Sequence, residues 1–182
     1  GERITALIIN WPRLVTGAYE ERLDVEGFRY AGKSSGDKAL WETWQANDLD
    51  EQSQQGHFES IGLSRAYVLV GAAGSSDDAP VVTIESPMQV FARRDPKTRR
   101  VIEGVKRWDV GDVGANGPLE QHAMLYVQGR RSEFINKGGE GWVELPETVD
   151  EYDESIMPLV PLVNQPRILR PDGRSEFTDV IG

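Results

Sequence analysis

Cysteine is absent from the 182 residues. That excludes disulfides, cysteine-ligated zinc, iron–sulfur clusters and thiol nucleophiles, and it fits a reducing cytoplasm. Histidine is almost absent too. His57 and His122 are the two in the chain, and neither has a partner at the H-E-x-x-H spacing of a helical zinc site. They read as structural histidines. No apolar run approaches the ~18 residues of a membrane span. Glu2 and Arg3 lead into only a short apolar stretch, which is not a signal peptide pattern. An excess of positive charge is missing as well: 20 Lys+Arg against 30 Asp+Glu give a net charge of −10, so a chain-wide basic footprint for nucleic acid is lacking. No catalytic constellation, metal set or cofactor motif with the right surroundings emerges. The sequence opens on Gly1 and closes on what reads as a helix start, as part of a longer chain would.

What is present changes character along the chain. Ile4, Leu7, Ile8, Trp11, Leu14, Val15 and Ala18 recur at helical spacing, with Pro12 expected to kink or break the helix near Asn10. A short extended piece is expected at 23–30. A loop with Asp37 as N-cap leads to a second helix bearing Leu40, Trp41 and Trp44 on one face, read as core-facing. A third helix, about 50–64, is polar apart from Phe58, Ile61 and Leu63 and is expected on the surface. From Ala66 onward β-branched runs alternate with turns. Strands are expected at 67–70, 81–84, 90–94, 100–108, 123–127, 133–136 and 142–145. An acidic loop follows, then 159–163, where Pro158, Pro161 and Pro166 demand an edge or an irregular segment. Helices followed by strands predict an α+β fold with a mostly antiparallel β-sheet. The expected divisions are 1–65, helical; 66–163, β-rich and packed with it as one domain; and 164–182, an exit segment.

Two motifs match known chemistry letter for letter but sit in unsuitable surroundings. Gly27 to Ser34 matches G-x-x-x-x-G-K-[ST], in which backbone N–H groups cradle phosphates, the lysine (Lys33) reaches the terminal phosphates and the hydroxyl (Ser34) holds magnesium. The motif needs a buried strand before it and a helix starting at the lysine. Here half-charged residues precede Gly27, and Ser35-Gly36-Asp37 breaks the chain after Gly32-Lys33-Ser34. An NTP-binding enzyme using Gly27, Gly32, Lys33 and Ser34 is therefore the alternative reading, not the first. Gly62-Leu63-Ser64-Arg65-Ala66 imitates a nucleophile elbow, which needs strand then helix; the expected order here is the reverse.

Charge is sorted along the chain. Arg93, Arg94, Lys97, Arg99, Arg100, Lys106 and Arg107 put seven of the 20 basic groups on one expected hairpin. Glu140, Glu144, Glu147, Asp150, Glu151, Asp153 and Glu154 follow with no basic residue among them. The bland reading is two solvated segments, or two that face each other within a subunit. The sharper reading is a subunit interface in which Arg93, Arg94, Lys97, Arg99 and Arg100 of one copy meet Glu147, Asp150, Glu151, Asp153 and Glu154 of the next, head to tail.

Several blocks taken in order resemble the portal protein family of tailed bacteriophages. They are Asn10-Trp11-Pro12-Arg13-Leu14-Val15, Glu21-Arg22-Leu23-Asp24-Val25-Glu26-Gly27-Phe28-Arg29, and Trp41 with Trp44-Gln45-Ala46-Asn47-Asp48-Leu49-Asp50. Gly62-Leu63-Ser64-Arg65-Ala66-Tyr67-Val68, Glu85-Ser86-Pro87-Met88 and Asp95-Pro96 come next. Pro158-Leu159-Val160-Pro161-Leu162-Val163-Asn164 and Gly173-Arg174-Ser175-Glu176-Phe177 complete the set. The resemblance implies a structural protein of the virion, not an enzyme, without cofactor. Such proteins form a ring, typically a dodecamer, at one capsid vertex and assemble in the bacterial host cytoplasm. The implied partners are further copies of itself, terminase, capsid or scaffold proteins, connector proteins, and double-stranded DNA that passes without sequence-specific binding; no membrane is implied. The matching region corresponds to the wing-like part of the subunit. The stem helix, clip and tunnel loop lie beyond it, so no DNA-contacting residue is carried over.

Overall fold

The computed structural model describes residues 11–73, 75, 78–111, 120–138 and 140–178. Three helices come first: α1 (Trp11–Glu20), α2 (Lys38–Ala46) and α3 (Leu49–Leu63). Eight strands follow: β1 (Arg65–Val70), β2 (Val82–Glu85), β3 (Val90–Arg94), β4 (Val101–Val110), β5 (Glu120–Val127), β6 (Arg130–Lys137), β7 (Val143–Glu151) and β8 (Leu159–Val163). The fold is α+β, as the sequence indicates. It divides into two compact units, one of residues Gly1–Arg65 and Val163–Gly182, the other Ala66–Leu162.

In the helical unit, Pro12 is the second residue of α1, whose described span begins at Trp11; the break expected near Asn10 lies outside the described residues. Ile4, Leu7 and Ile8 lie outside the described residues. Trp11, Leu14 and Tyr19 are exposed while Thr16 is buried, its hydroxyl donating to the Pro12 carbonyl at 2.9 Å. Residues 23–30 form no strand. Asp37 is the N-cap of α2, its carboxylate accepting from Leu40 N–H at 2.9 Å. Trp41 and Trp44 stack at 6.4 Å between centroids, with Phe28 tilted against both; the two indoles are half-buried under that ring.

Helix α3 departs most from its expected role. Its buried residues are Leu49, Ser53, Gly56, Ser60 and Ile61, while Phe58 and Leu63 are exposed. Small residues at helical spacing make a face that neighbouring helices approach closely, and α1 and α2 both contact α3. Its last carbonyls are satisfied by the C-terminal segment: Glu176 N–H donates to Ile61 O at 3.1 Å and the Ser175 hydroxyl to Gly62 O at 2.6 Å. Helix ends leave such carbonyls orphaned unless something supplies donors. Ser175 and Glu176 thus stand at a turn bonded to α3.

The second unit stacks two sheets. The smaller has order β2-β1-β8 and the larger β3-β4-β5-β6-β7. β1 and β2 are antiparallel. Bonds from Val70 N to Pro158 O and from Asn164 N to Ser64 O show that β1 and β8 are as well. The larger sheet is antiparallel throughout. Tyr67, Leu69 and Leu159 from the first sheet meet Val90, Ala92, Val101 and Tyr126 from the second, forming the core. Gly104 permits this closeness, since a Cβ there would lie 2.5 Å from Leu159 Cδ1. Pro161 sits on β8, an edge strand, as a residue without an N–H requires. The expected acidic loop is in large part strand: β7 runs to Glu151 with Pro146 inside it. Being at the sheet edge, with its register shifted opposite Arg131–Glu133, it tolerates that proline.

Candidate functional site

Neither chemical motif acquires the surroundings its chemistry needs. Gly27 to Ser34 has no strand before it, and α2 starts at Lys38, five residues past Lys33. The N–H groups of a helix start are therefore not presented beside Lys33 and Ser34, which removes the geometric basis of the phosphate-loop alternative. Ser64 ends α3 in a left-handed conformation (φ 79°) and β1 begins at the next residue. The order is helix then strand, with His57 on the same helix, so the elbow is absent. His122 stacks on Trp108 at 5.4 Å and its Nδ1 lies 2.6 Å from Glu133 Oε1. Among the described residues no three acidic or histidine side chains converge in a way that holds a metal ion.

The sorted charges do acquire a geometry. Cross-strand partners run Arg93↔Glu103↔Val127↔Arg130↔Glu151 through all five strands of the larger sheet. The basic turn 95–100 follows β3 and the acidic turn 152–155 follows β7. Four antiparallel steps make β3 and β7 run the same way, so both turns leave the sheet at the same end, from opposite edges. At a strand spacing of about 4.8 Å those edges stand roughly 19 Å apart. Past β7 the acidic turn bends back from that edge, so that Glu154 lies over Gly129 at the turn between β5 and β6.

At the basic corner the local chemistry fixes the turn. Asp95 Oδ1 accepts from Lys97 N–H at 2.8 Å and from Thr98 N–H at 2.6 Å. The Thr98 N–H, helped by nearby Arg93, holds the Asp95 carboxyl below the usual carboxylate range. Arg93 clasps Glu103 through Nε and Nη2, and this bond lowers the pKa of Glu103. Arg94 Nη1 donates to Arg99 O at 3.1 Å. Lys97, Arg99 and Arg100 are exposed and form no ion pair among the described residues. Lys106 and Arg107, from the same hairpin, are used inside the unit: Lys106 Nζ lies 2.6 Å from Glu85 Oε1, and the Arg107 guanidinium lies over Trp142 at 5.4 Å.

The acidic corner is pinned by Tyr152. Its hydroxyl lies 3.0 Å from Val127 O and 3.1 Å from Arg130 O, and its N–H donates to Gly129 O at 2.9 Å. Asp150 pairs with Arg131 at 3.0 Å and Glu144 with Arg130 at 2.7 Å. Asp153 accepts from Ser155, which lowers its pKa. Glu147, Glu151 and Glu154 are exposed and form no ion pair among the described residues. The sequence does not reveal that Arg130 and Arg131 neutralise two of the carboxylates; only the β6–β7 register brings them together.

Comparison with known proteins bears on the same chain. A family model described as phage portal protein, SPP1 Gp6-like, matches residues 2–181. The chain is 30% identical over 177 residues to the portal protein of Mycobacterium phage D29 and 28% identical over 179 residues to that of Mycobacterium phage L5. Each alignment covers 93% of this chain and 35% of the relative, so the chain spans about a third of the length of these relatives. A family match from residue 2 to residue 181 leaves almost nothing outside it, and the chain belongs to the SPP1 Gp6-like phage portal protein family.

Proposed function

We propose that this chain acts as the wing-like part of a structural portal subunit, within a ring at one capsid vertex of the virion. In this reading residues 1–65 and 66–163 make up the wing and 164–182 lead toward a stem. The complete protein assembles in the bacterial host cytoplasm, docks terminase, capsid or scaffold and connector proteins, and passes double-stranded DNA. It carries out no catalysis. The observation that carries the reading is the family match over residues 2–181. The test is native mass spectrometry and electron microscopy of the full-length protein. Closed rings of uniform subunit number are expected. A protein that stays monomeric at high concentration overturns the proposal.

A further inference from the structure

We infer that the two oppositely charged corners of the five-stranded sheet are complementary halves of one head-to-tail contact, each corner meeting the other on a second copy of this chain. The inference rests on the ring reading and adds to it which surfaces meet and why they meet in that sense.

Three observations carry it. First, the charges lie on sheet edges, not across a face. Residues 93–103 hold five cations and two anions, and residues 147–154 hold five carboxylates and no cation. The first set belongs to the β3–β4 hairpin at one edge; Glu147 and Glu151 lie on β7 at the other, and Glu154 follows over Gly129 at the same end of the sheet. Second, the corners leave the sheet at the same end, joined by the row Arg93↔Glu103↔Val127↔Arg130↔Glu151. A neighbour that sets its β7 edge beside this β3 edge, with strand direction kept, brings carboxylates against cations. Third, the signs select the symmetry. A two-fold antiparallel contact through β3 carries the two basic turns to opposite ends of the seam, and one through β7 does the same with the carboxylates, so neither brings opposite charges together. Only the heterologous arrangement is attractive, and heterologous contacts close into rings when the rotation allows.

Edge protection alone does not explain this pattern. Charges on edge strands commonly block unwanted pairing, and like signs on both edges do so for every arrangement. Opposite signs invite the head-to-tail neighbour, which defeats that purpose. Pro146 in β7 and the shortness of β3 keep the contact from continuing the backbone ladder. The contact is therefore one of side chains and turns, with Lys97, Arg99 and Arg100 facing Glu147, Glu151 and Glu154.

The test is a charge swap in the full-length protein. One variant carries Lys97→Glu and Arg100→Glu, which takes residues 93–103 from +3 to −1, and the other Glu147→Lys, Glu151→Lys and Glu154→Lys, which takes residues 147–154 from −5 to +1. All five positions are exposed, and thermal unfolding checks that each variant folds. Each variant alone is expected to lose at least tenfold in ring yield at low salt, since both of its corners then carry one sign. An equimolar mixture is expected to recover rings containing both chains. Rings from either variant alone at unreduced yield overturn the contact while leaving the ring reading standing. Loss of rings in each variant without recovery in the mixture also overturns it, because complementarity then does not explain the loss. If the unaltered protein forms no ring under the same conditions, the ring reading itself fails.

Discussion

Tyr126 shows how one residue couples burial to pH. It is 8% exposed on β5, among the side chains that join the two sheets. Burial pushes its hydroxyl pKa from 10.0 up to about 12, with Glu85 adding to the rise and Arg131 opposing it. The folded state thus keeps a proton that the unfolded chain releases near pH 10. The stabilisation is fully present below about pH 10 and is lost as the pH rises toward 12, because over that interval the unfolded state binds fewer protons. Burial raises Tyr152 in the same sense. Urea unfolding at stepped alkaline pH is expected to show the midpoint falling across this interval. Tyr126→Phe should flatten the fall, and an unchanged slope would show that the hydroxyl does not govern it.

At the scale of elements, the two sheets are joined by a polar contact as well as by the core. Glu85 on β2 is buried, and its carboxylate receives Lys106 Nζ at 2.6 Å and the Thr83 hydroxyl at 2.8 Å. Lys106 comes from β4, in the other sheet. Removing one partner of a buried pair leaves the other charge uncompensated, at a cost of about 3 kcal/mol. Lys106→Met is therefore expected to lower stability by about that amount in urea unfolding. Adding Glu85→Leu to it should recover most of the loss, since two apolar groups of similar size satisfy each other. A double variant no better than the single one would mean that packing, not the stranded carboxylate, sets the cost.

For the whole molecule, the sum of −10 conceals an arrangement. A basic and an acidic corner on opposite edges of one sheet give the second unit a direction across its strands. Copies that associate by this direction are sensitive to ionic strength. The Debye length falls from about 8 Å at 0.15 M to about 3 Å at 1 M, so exposed pairs such as Lys97 or Arg100 against Glu151 or Glu154 weaken. Ring yield of the full-length protein at fixed concentration is expected to drop between those salt concentrations, as native mass spectrometry would register. A yield indifferent to salt points to an apolar contact in place of the charged corners.

Much of this organisation is legible in the residues themselves. Asp37 three positions before Leu40, and Asp95-Pro96 between two β-branched runs, announce a cap and a turn because their hydrogen bonds are local. The α+β order and the edge position of β8 follow from periodicity and from proline's missing donor. Other features depend on partners far away in sequence. Helix α3 looked like a surface helix because its buried face is Ser53, Gly56 and Ser60, whose burial reflects close helix approach and not hydrophobicity. The strand expected at 142–145 runs on to Glu151, because Pro146 and the carboxylates after it hide a continuation that only pairing with β6 reveals.

By itself, then, the sequence determined the class of fold, the family, the local turns and the fact that charge is sorted. Each of these rests on residues a few positions apart or on their order along the chain. Only the tertiary structure decided where the sorted charges stand. Strand order in a sheet is set by backbone pairing between distant segments, and the order β3-β4-β5-β6-β7 places the turns after β3 and β7 at one end of the sheet, with Glu147 and Glu151 on the edge opposite the basic turn. The same pairing turned Lys106 inward to Glu85 and gave Asp150 its partner in Arg131, separating the charges that stabilise the unit from those left facing outward.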